Sequence, residues 1–270
     1  MNIFEKVLTE NYLKAYEGSR VVVHDVDILT GMVRRGIMPH SVILGTGSEA
    51  QAMEPVISSL GLKVPVHRAS EQQVADFLRE QTGNRIKPYA LSAMFEVPVP
   101  LFSEETLSCL QRVVMIKNVT CLHNIANIID LCIWFGADAL LVSGRSKSPF
   151  IPQITKLTDF RNFELPVIFF PDDPEEYIPL LHSSGFNVIG LALRNETLEA
   201  KDLRNFSSSR TALLLGNESD GLPEEDIDMC GHVVRIPMAR GIDSLNVAHA
   251  CGIALYELTA RDFSEKELLL

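Results

Sequence analysis

The chain has no apolar run approaching the ~20 residues needed to cross a bilayer, and its first twenty residues are charged throughout. Neither a secretion signal nor a membrane helix is expected, which places the protein in the cytoplasm. The five cysteines, Cys109, Cys121, Cys132, Cys230 and Cys251, include no Cys-x-x-Cys pair. An odd, scattered set builds neither a disulfide frame nor a zinc site, so buried free thiols and no metal are expected. Positive charge is scarce as well: 24 Lys and Arg stand against 35 Asp and Glu, a net charge of −11. That balance excludes a protein that coats nucleic acid nonspecifically, because phosphate binding requires cations to displace counterions. The deficit is uneven. Residues 1–100 carry 10 basic and 11 acidic side chains, whereas residues 101–270 carry 14 and 24. The first hundred residues are therefore the surface less hostile to RNA, with Arg34, Arg35, Lys63, His67, Arg68, Arg79, Arg85 and Lys87 as candidate contacts.

Apolar material is plentiful, at 46% of residues, so the chain can bury a core. Its 270 residues suit one large domain or two ordinary ones. In the first hundred, Val21-Val22-Val23, Ser41-Val42-Ile43-Leu44 and Val64-Pro65-Val66 read as strands and 27–35 as a helix. Ser70 opens a capping box with Gln73 for a helix that turns Val74, Phe77 and Leu78 inward. The stretch Val97-Pro98-Val99-Pro100-Leu101 is the expected boundary, since its prolines hold the backbone extended and remove two amide donors. Ser103-Glu104-Glu105 then starts a new helix. Near-continuous apolar runs follow at 113–116, 139–142, 167–170, 188–193, 212–215 and 233–236. Such runs suit strands covered on both faces, hence a largely parallel sheet. Between them, Asp173-Pro174-Glu175-Glu176 to Ser184-Gly185 has the punctuation of a complete helix: cap, proline, acids and terminal glycine. Two α/β domains are expected, 1–100 and 101–270.

Three blocks carry the chemistry. The first is Asn124-Ile125-Ala126-Asn127-Ile128-Ile129-Asp130 with Phe135-Gly136-Ala137-Asp138. The second runs from Gly216 to Pro223 behind an apolar strand, where glycines permit a tight turn and loop amides can reach a ligand. Alone, that loop is equally an ordinary turn. The third runs from Ile236-Pro237-Met238 to Ser244-Leu245-Asn246-Val247. Ser244 is the expected N-cap of a helix with Val247, Ala250, Cys251, Ala254, Leu255 and Leu258 on its inner face. Asn246 falls in the first turn, where a core stripe needs no asparagine; it is either a cap or a contact.

In this order the blocks resemble the motifs of the SpoU (TrmH-like) RNA 2′-O-ribose methyltransferases. The resemblance implies a trefoil-knotted, SPOUT-type domain over 101–270, an exception to the rule that chains do not thread themselves. It implies an RNA-substrate-binding domain over 1–100, contacting RNA through residues such as Arg34, Arg35 and Arg68. The implied cofactor is S-adenosyl-L-methionine, held by Gly216, Asn217, Ile236, Met238 and Leu245. The implied catalytic residues are Asn124, Asp130, Glu218, Ser244 and Asn246. The expected reaction is 2′-O-methylation of a ribose in ribosomal or transfer RNA; the alternative is a relative that binds cofactor or RNA without transferring methyl. A homodimer through the knotted domain is implied too, with the apolar faces around Trp134 and the final helix as contacts.

The chain departs from the family pattern at Ala126, Asn127 and Ala248, and most consequentially at Asp130, where the family has an arginine. Arginine there would stabilise a developing alkoxide and hold a phosphate; aspartate reverses the charge. Three compensations stay open. Asp130 or His123 could act as general base, or a cation from elsewhere, Arg145, Arg161 or Arg240, could take the vacated space.

Overall fold

The computed structural model describes residues 20–82, 88–97, 99–143, 145–194, 197–217, 219–239 and 245–260. The chain divides into two compact units, Met1–Pro98 and Val99–Leu270.

The first unit is built on β1 (Arg20–Val23), α1 (Val26–Arg34), β2 (Ser41–Leu44), α2 (Ser48–Ser59), β3 (Val66–Arg68), α3 (Glu71–Thr82) and β4 (Leu91–Glu96). Its sheet runs β1-β4-β2-β3, with β4 antiparallel to both neighbours and β2 parallel to β3. Asp25 caps α1, its Oδ1 accepting from the amides of Asp27 (2.9 Å) and Ile28 (3.1 Å), and Ile28, Leu29, Met32 and Val33 point into the core. The Ser70–Gln73 box forms in both directions, at 3.2 and 3.0 Å, and Val74 is buried; Phe77 and Leu78 lie outside the described side chains. Two readings change here. The strand expected at 64–66 starts at Val66, because Pro65 has no amide to donate. The central strand β4, with the sequence Leu-Ser-Ala-Met-Phe-Glu, carries no β-branched residue and had no strand signature. Arg34 and Arg35 are exposed at the C-terminal end of α1, and Arg68 is exposed on β3 in an ion pair with Glu54.

The second unit comprises α4 (Glu104–Ser108), β5 (Arg112–Ile116), α5 (Leu122–Trp134), β6 (Ala139–Ser143), α6 (Pro152–Leu157), β7 (Val167–Phe170), α7 (Pro174–Ser183), β8 (Asn187–Leu191), β9 (Leu198–Glu199), β10 (Thr211–Leu215), α8 (Glu224–Met229), β11 (His232–Arg235) and α9 (Val247–Thr259). Its seven strands are ordered β7-β6-β5-β10-β8-β11-β9, and every pairing among them is parallel. Helices cover both faces of such a sheet, so β5, β6 and β10 are buried almost from end to end. Each fully buried Leu or Val there contributes roughly 1.5–3 kcal/mol. Asp173 caps α7 by accepting from the Glu175 amide at 3.0 Å, and Gly185 stops it at φ +83°. At the N-terminal edge of the sheet, the Arg210 guanidinium donates to the carbonyls of Leu107, Leu110 and Ser184 and stacks 4.5 Å over Phe186.

The α9 helix packs on α5 and on the 3₁₀ turn 200–206. Outside that contact stand Trp134 (62% exposed), Tyr256 (54%) and Ile253, with Phe135 and Tyr256 meeting edge-on at 6.4 Å. The thiols are not uniformly buried as expected: Cys132 and Cys251 are, but Cys109 and Cys121 are exposed. Burial pushes the Cys251 thiol up to about 12. Among the described residues, no helix is long and apolar enough to cross a membrane.

Candidate active site

The C-terminal ends of β8, β10 and β11 open onto one cleft of ≈ 320 Å³. Its walls come from 191–193, 215–217, 219–222, 234–236, Glu224, Ile227, Met238, Leu245, Val247 and Ala250. Clefts at this edge of open α/β sheets are where ligands bind, because loop amides converge there. Gly216, Asn217, Ile236, Met238 and Leu245, separated by up to 29 positions in the sequence, all line it. Glu218 and Ser244 lie outside the described residues.

The loop after β10 closes on itself. A Cβ at position 216 would stand 2.2 Å from the carbonyl carbon of Gly221 and 2.3 Å from the Leu222 nitrogen, so only glycine fits. Asn217 and Gly221 exchange two backbone hydrogen bonds, at 3.1 and 3.0 Å, across the turn. The Asn217 side chain is spent on the loop. Its Oδ1 accepts from the Ser219 amide (2.7 Å), and its Nδ2 donates to the Asn118 carbonyl (2.8 Å) just past β5.

A buried ion pair that the sequence did not reveal lies next to that anchor. Lys117 Nζ donates to both Asp226 oxygens, at 2.6 and 2.7 Å, and to the Asp172 carbonyl at 2.8 Å. Tyr177 donates its hydroxyl to the same carboxylate, and burial followed by that bond pushes the phenol pKa up. Lys117 is 4% exposed and Asp226 0%, so each charge depends on the other. The pair fixes the first turn of α8, where Glu224 and Ile227 face the cleft. Its partners are 109 residues apart, and no local pattern announces them.

The third block differs from expectation in one respect. Asn246, not Ser244, is the N-cap of α9, its Oδ1 accepting from the amides of Ala248 (2.9 Å) and His249 (3.4 Å). Its Nδ2 donates to Asn124 Oδ1 at 2.9 Å. Asn246 is therefore both cap and contact, and it ties the start of α9 to the start of α5.

Asp130 is paired. Arg161, on the 3₁₀ turn 161–163, grips it with Nε to Oδ1 at 2.8 Å and Nη2 to Oδ2 at 2.9 Å. Those bonds hold the guanidinium pKa above its ordinary value. Both Asp130 oxygens are thus engaged by Arg161, among the described residues the one of the three candidate cations that the structure brings to it. Arg145 is 75% exposed and lies 3.6 Å from Asp172, His123 is exposed beside Asn124, and Arg240 lies outside the described residues. Among the described residues no cluster of three or more His, Cys, Asp or Glu could hold a metal ion.

The sequence matches the model of the SpoU rRNA Methylase family over residues 111–256. It is 27% identical over 214 residues to an uncharacterized tRNA/rRNA methyltransferase of Mycobacterium bovis, covering 79% of this chain and 72% of that one. It is 30% identical over 144 residues to a 23S rRNA (uridine(2479)-2′-O)-methyltransferase of Streptomyces viridochromogenes, covering 52% of this chain and 50% of the relative. Among solved structures, the AdoMet-bound rRNA methyltransferase of Sinorhizobium meliloti superposes with a TM-score of 0.67 at 21% identity, over 98% of this chain and 96% of that one. The SpoU methyltransferase AviRb of Streptomyces viridochromogenes, in complex with AdoMet, superposes at 0.63 and 21% identity, over 97% and 98%. The family's model spans more than half of the 270 residues, including all three blocks, and the chain belongs to the SpoU rRNA Methylase family.

Proposed function

We propose that this protein transfers a methyl group from S-adenosyl-L-methionine to a ribose 2′-hydroxyl of a structured ribosomal or transfer RNA in the cytoplasm. One observation carries the reading: segments 215–222, 234–238 and 245–250 converge on a single cleft beyond the ends of three parallel strands. The residues fit the cofactor. Leu191, Leu193, Ile236 and Val247 offer apolar walls to the adenosine, and the backbones of Gly216, Ile236 and Leu245 offer polar atoms for its base. Asp220 and Glu224 outnumber Arg235 in the lining, which suits a ligand with a cationic sulfur. When bound, the cofactor supplies an electrophilic methyl group on that sulfur.

The protein's part is to position the hydroxyl and exclude water. Asn246 and Asn124 hold the two helix starts together beside the cleft, and Glu218 and Ser244 complete the site by resemblance. The same reading includes a trefoil knot, RNA contacts from Arg34, Arg35 and Arg68, and a homodimer that covers Trp134, Ile253 and Tyr256. An exposed aromatic patch of this kind supports the dimer.

Incubation of unmodified RNA with radiolabelled cofactor tests the proposal. Label should enter alkali-resistant dinucleotides with the native protein and fall at least about tenfold with Asn246→Ala, which removes a cap and a contact. Absence of cofactor binding by calorimetry refutes it.

A further inference from the structure

The Asp130–Arg161 pair is more elaborate than a surface ion pair, and its asymmetry is informative. The Asp130 side chain is 13% exposed and that of Arg161 32%, so the anion lies inside and the cation faces outward. Asp130 takes the Nε and Nη2 edge of the guanidinium. Nη1, and the edge it shares with Nη2, has no partner among the described residues. Asp159 and Glu164 lie within electrostatic reach of Arg161. A planar fork held along one edge presents its other edge in a fixed direction, with the spacing of two oxygens of a phosphate.

The backbone behind the fork is constrained as well. Asp159 and Phe160 are consecutive non-glycine residues at positive φ, +45° and +70°. That conformation is disfavoured and persists only where the surroundings impose it. Here the fully buried Asn162 imposes it, with Nδ2 donating to the Pro149 carbonyl at 3.1 Å and to Thr155 Oγ1 at 3.0 Å. Phe163 stacks on Phe150 beneath the turn, with ring centroids 5.7 Å apart. Arg161 is thus fixed from its backbone and from its side chain. Exposed pairs on flexible stems have no such support. Asp130 lies six residues beyond Asn124 on α5, about 9 Å along the axis at 1.5 Å per residue, so the pair stands within a nucleotide's reach of the Asn124–Asn246 junction.

We infer that Arg161 grips a phosphodiester of the RNA strand beside the cleft, and that Asp130 is the positioning residue that aims it. The inference rests on the proposed RNA substrate. It also accounts for an acidic residue at 130: α5 supplies the anchor, and a turn 31 residues later supplies the cation.

The test uses the full chain, with in-vitro transcribed unmodified ribosomal RNA as probe. RNA affinity is titrated between about 50 and 200 mM salt, because each phosphate contact adds about 0.7 to 0.9 to the slope of log affinity against log salt. Arg161→Ala should flatten that slope by about one contact and raise KM for RNA about tenfold, leaving cofactor affinity unchanged. Arg161→Gln, which removes the charge but keeps a hydrogen-bonding amide, should do the same should the alanine variant misfold. Arg161→Lys should retain the slope. Asp130→Ala should also retain it while lowering kcat about tenfold, a split that loss of structure would not produce. An unchanged slope and KM in both Arg161→Ala and Arg161→Gln overturns the phosphate contact, and an unchanged kcat in Asp130→Ala overturns the positioning role. Native protein that binds no S-adenosylmethionine would refute the methyltransferase reading while the salt slope still decides the role of Arg161.

Discussion

Replacing Gly216 by alanine tests the cleft at its tightest point. The new methyl carbon would stand 2.2 Å from backbone that ordinary contact keeps at 3.4 Å or more, so the 217–221 turn must retreat by about 1 Å. Retreat breaks the two bonds between Asn217 and Gly221, each worth about 1 kcal/mol. The closed loop is then disfavoured by roughly 2–3 kcal/mol. If the cofactor binds only that form, its affinity falls about 30- to 150-fold. The clash reaches the backbone of Leu222, whose side chain packs in the core, so the melting temperature should drop as well, by about 5–10 °C. Isothermal calorimetry with S-adenosylmethionine measures the first effect and a thermal scan the second. Gly36→Ala is the control: its φ is +81°, its Cβ meets nothing within 4 Å, and it lies in the other unit, so cofactor affinity should not change. Wild-type affinity in Gly216→Ala would show that the loop after β10 does not contact the ligand.

Asp226→Ala should lower stability by about 3–5 kcal/mol in urea titrations, because Lys117 would be left charged at 4% exposure. The double variant Lys117→Met/Asp226→Ala should recover most of the loss; no recovery would mean that the pair's mutual dependence has been misread. His24 gives a pH signature. It is partly buried, stacked on Tyr89 at 3.7 Å, and burial lowers its pKa below 6.5 against the raising effect of the Leu91 carbonyl. The unfolded chain therefore takes up the proton first as pH falls. The contribution is intact above about pH 6.5 and is lost towards the lower folded value, at no more than about 1.4 kcal/mol per pH unit. Hydrogen exchange in β1 and β4 should quicken over that window in the native protein and not in His24→Phe; equal acceleration in both refutes it.

Much of the second unit could be read from the sequence because its strands are buried on both faces and appear as unbroken apolar runs, as with 113–116 and 212–215. β4 escaped because alanine, serine and methionine carry no strand signature, although burial makes Leu91 to Phe95 a core strand. Two-residue β9 is too short for any periodicity. The cap of α9 was placed two residues early because serine and asparagine are comparable caps, and only geometry decides between them. The cleft-lining residues were legible because loop blocks after strands are local in sequence. The Lys117–Asp226 pair was not, because a pairing across 109 residues leaves no trace in one chain, and at Asp130 the sequence offered Arg161 only as one of three candidate cations.

The order in which the cleft's walls occur along the chain has a consequence for biosynthesis. Its floor and sides are complete by Met238, but Leu245, Val247 and Ala250 arrive only with the closing helix. A nascent polypeptide halted before that point lacks one wall of the pocket. Ligand binding energy cannot assist its folding until α9 docks, so the capacity to be saturated arrives with that helix.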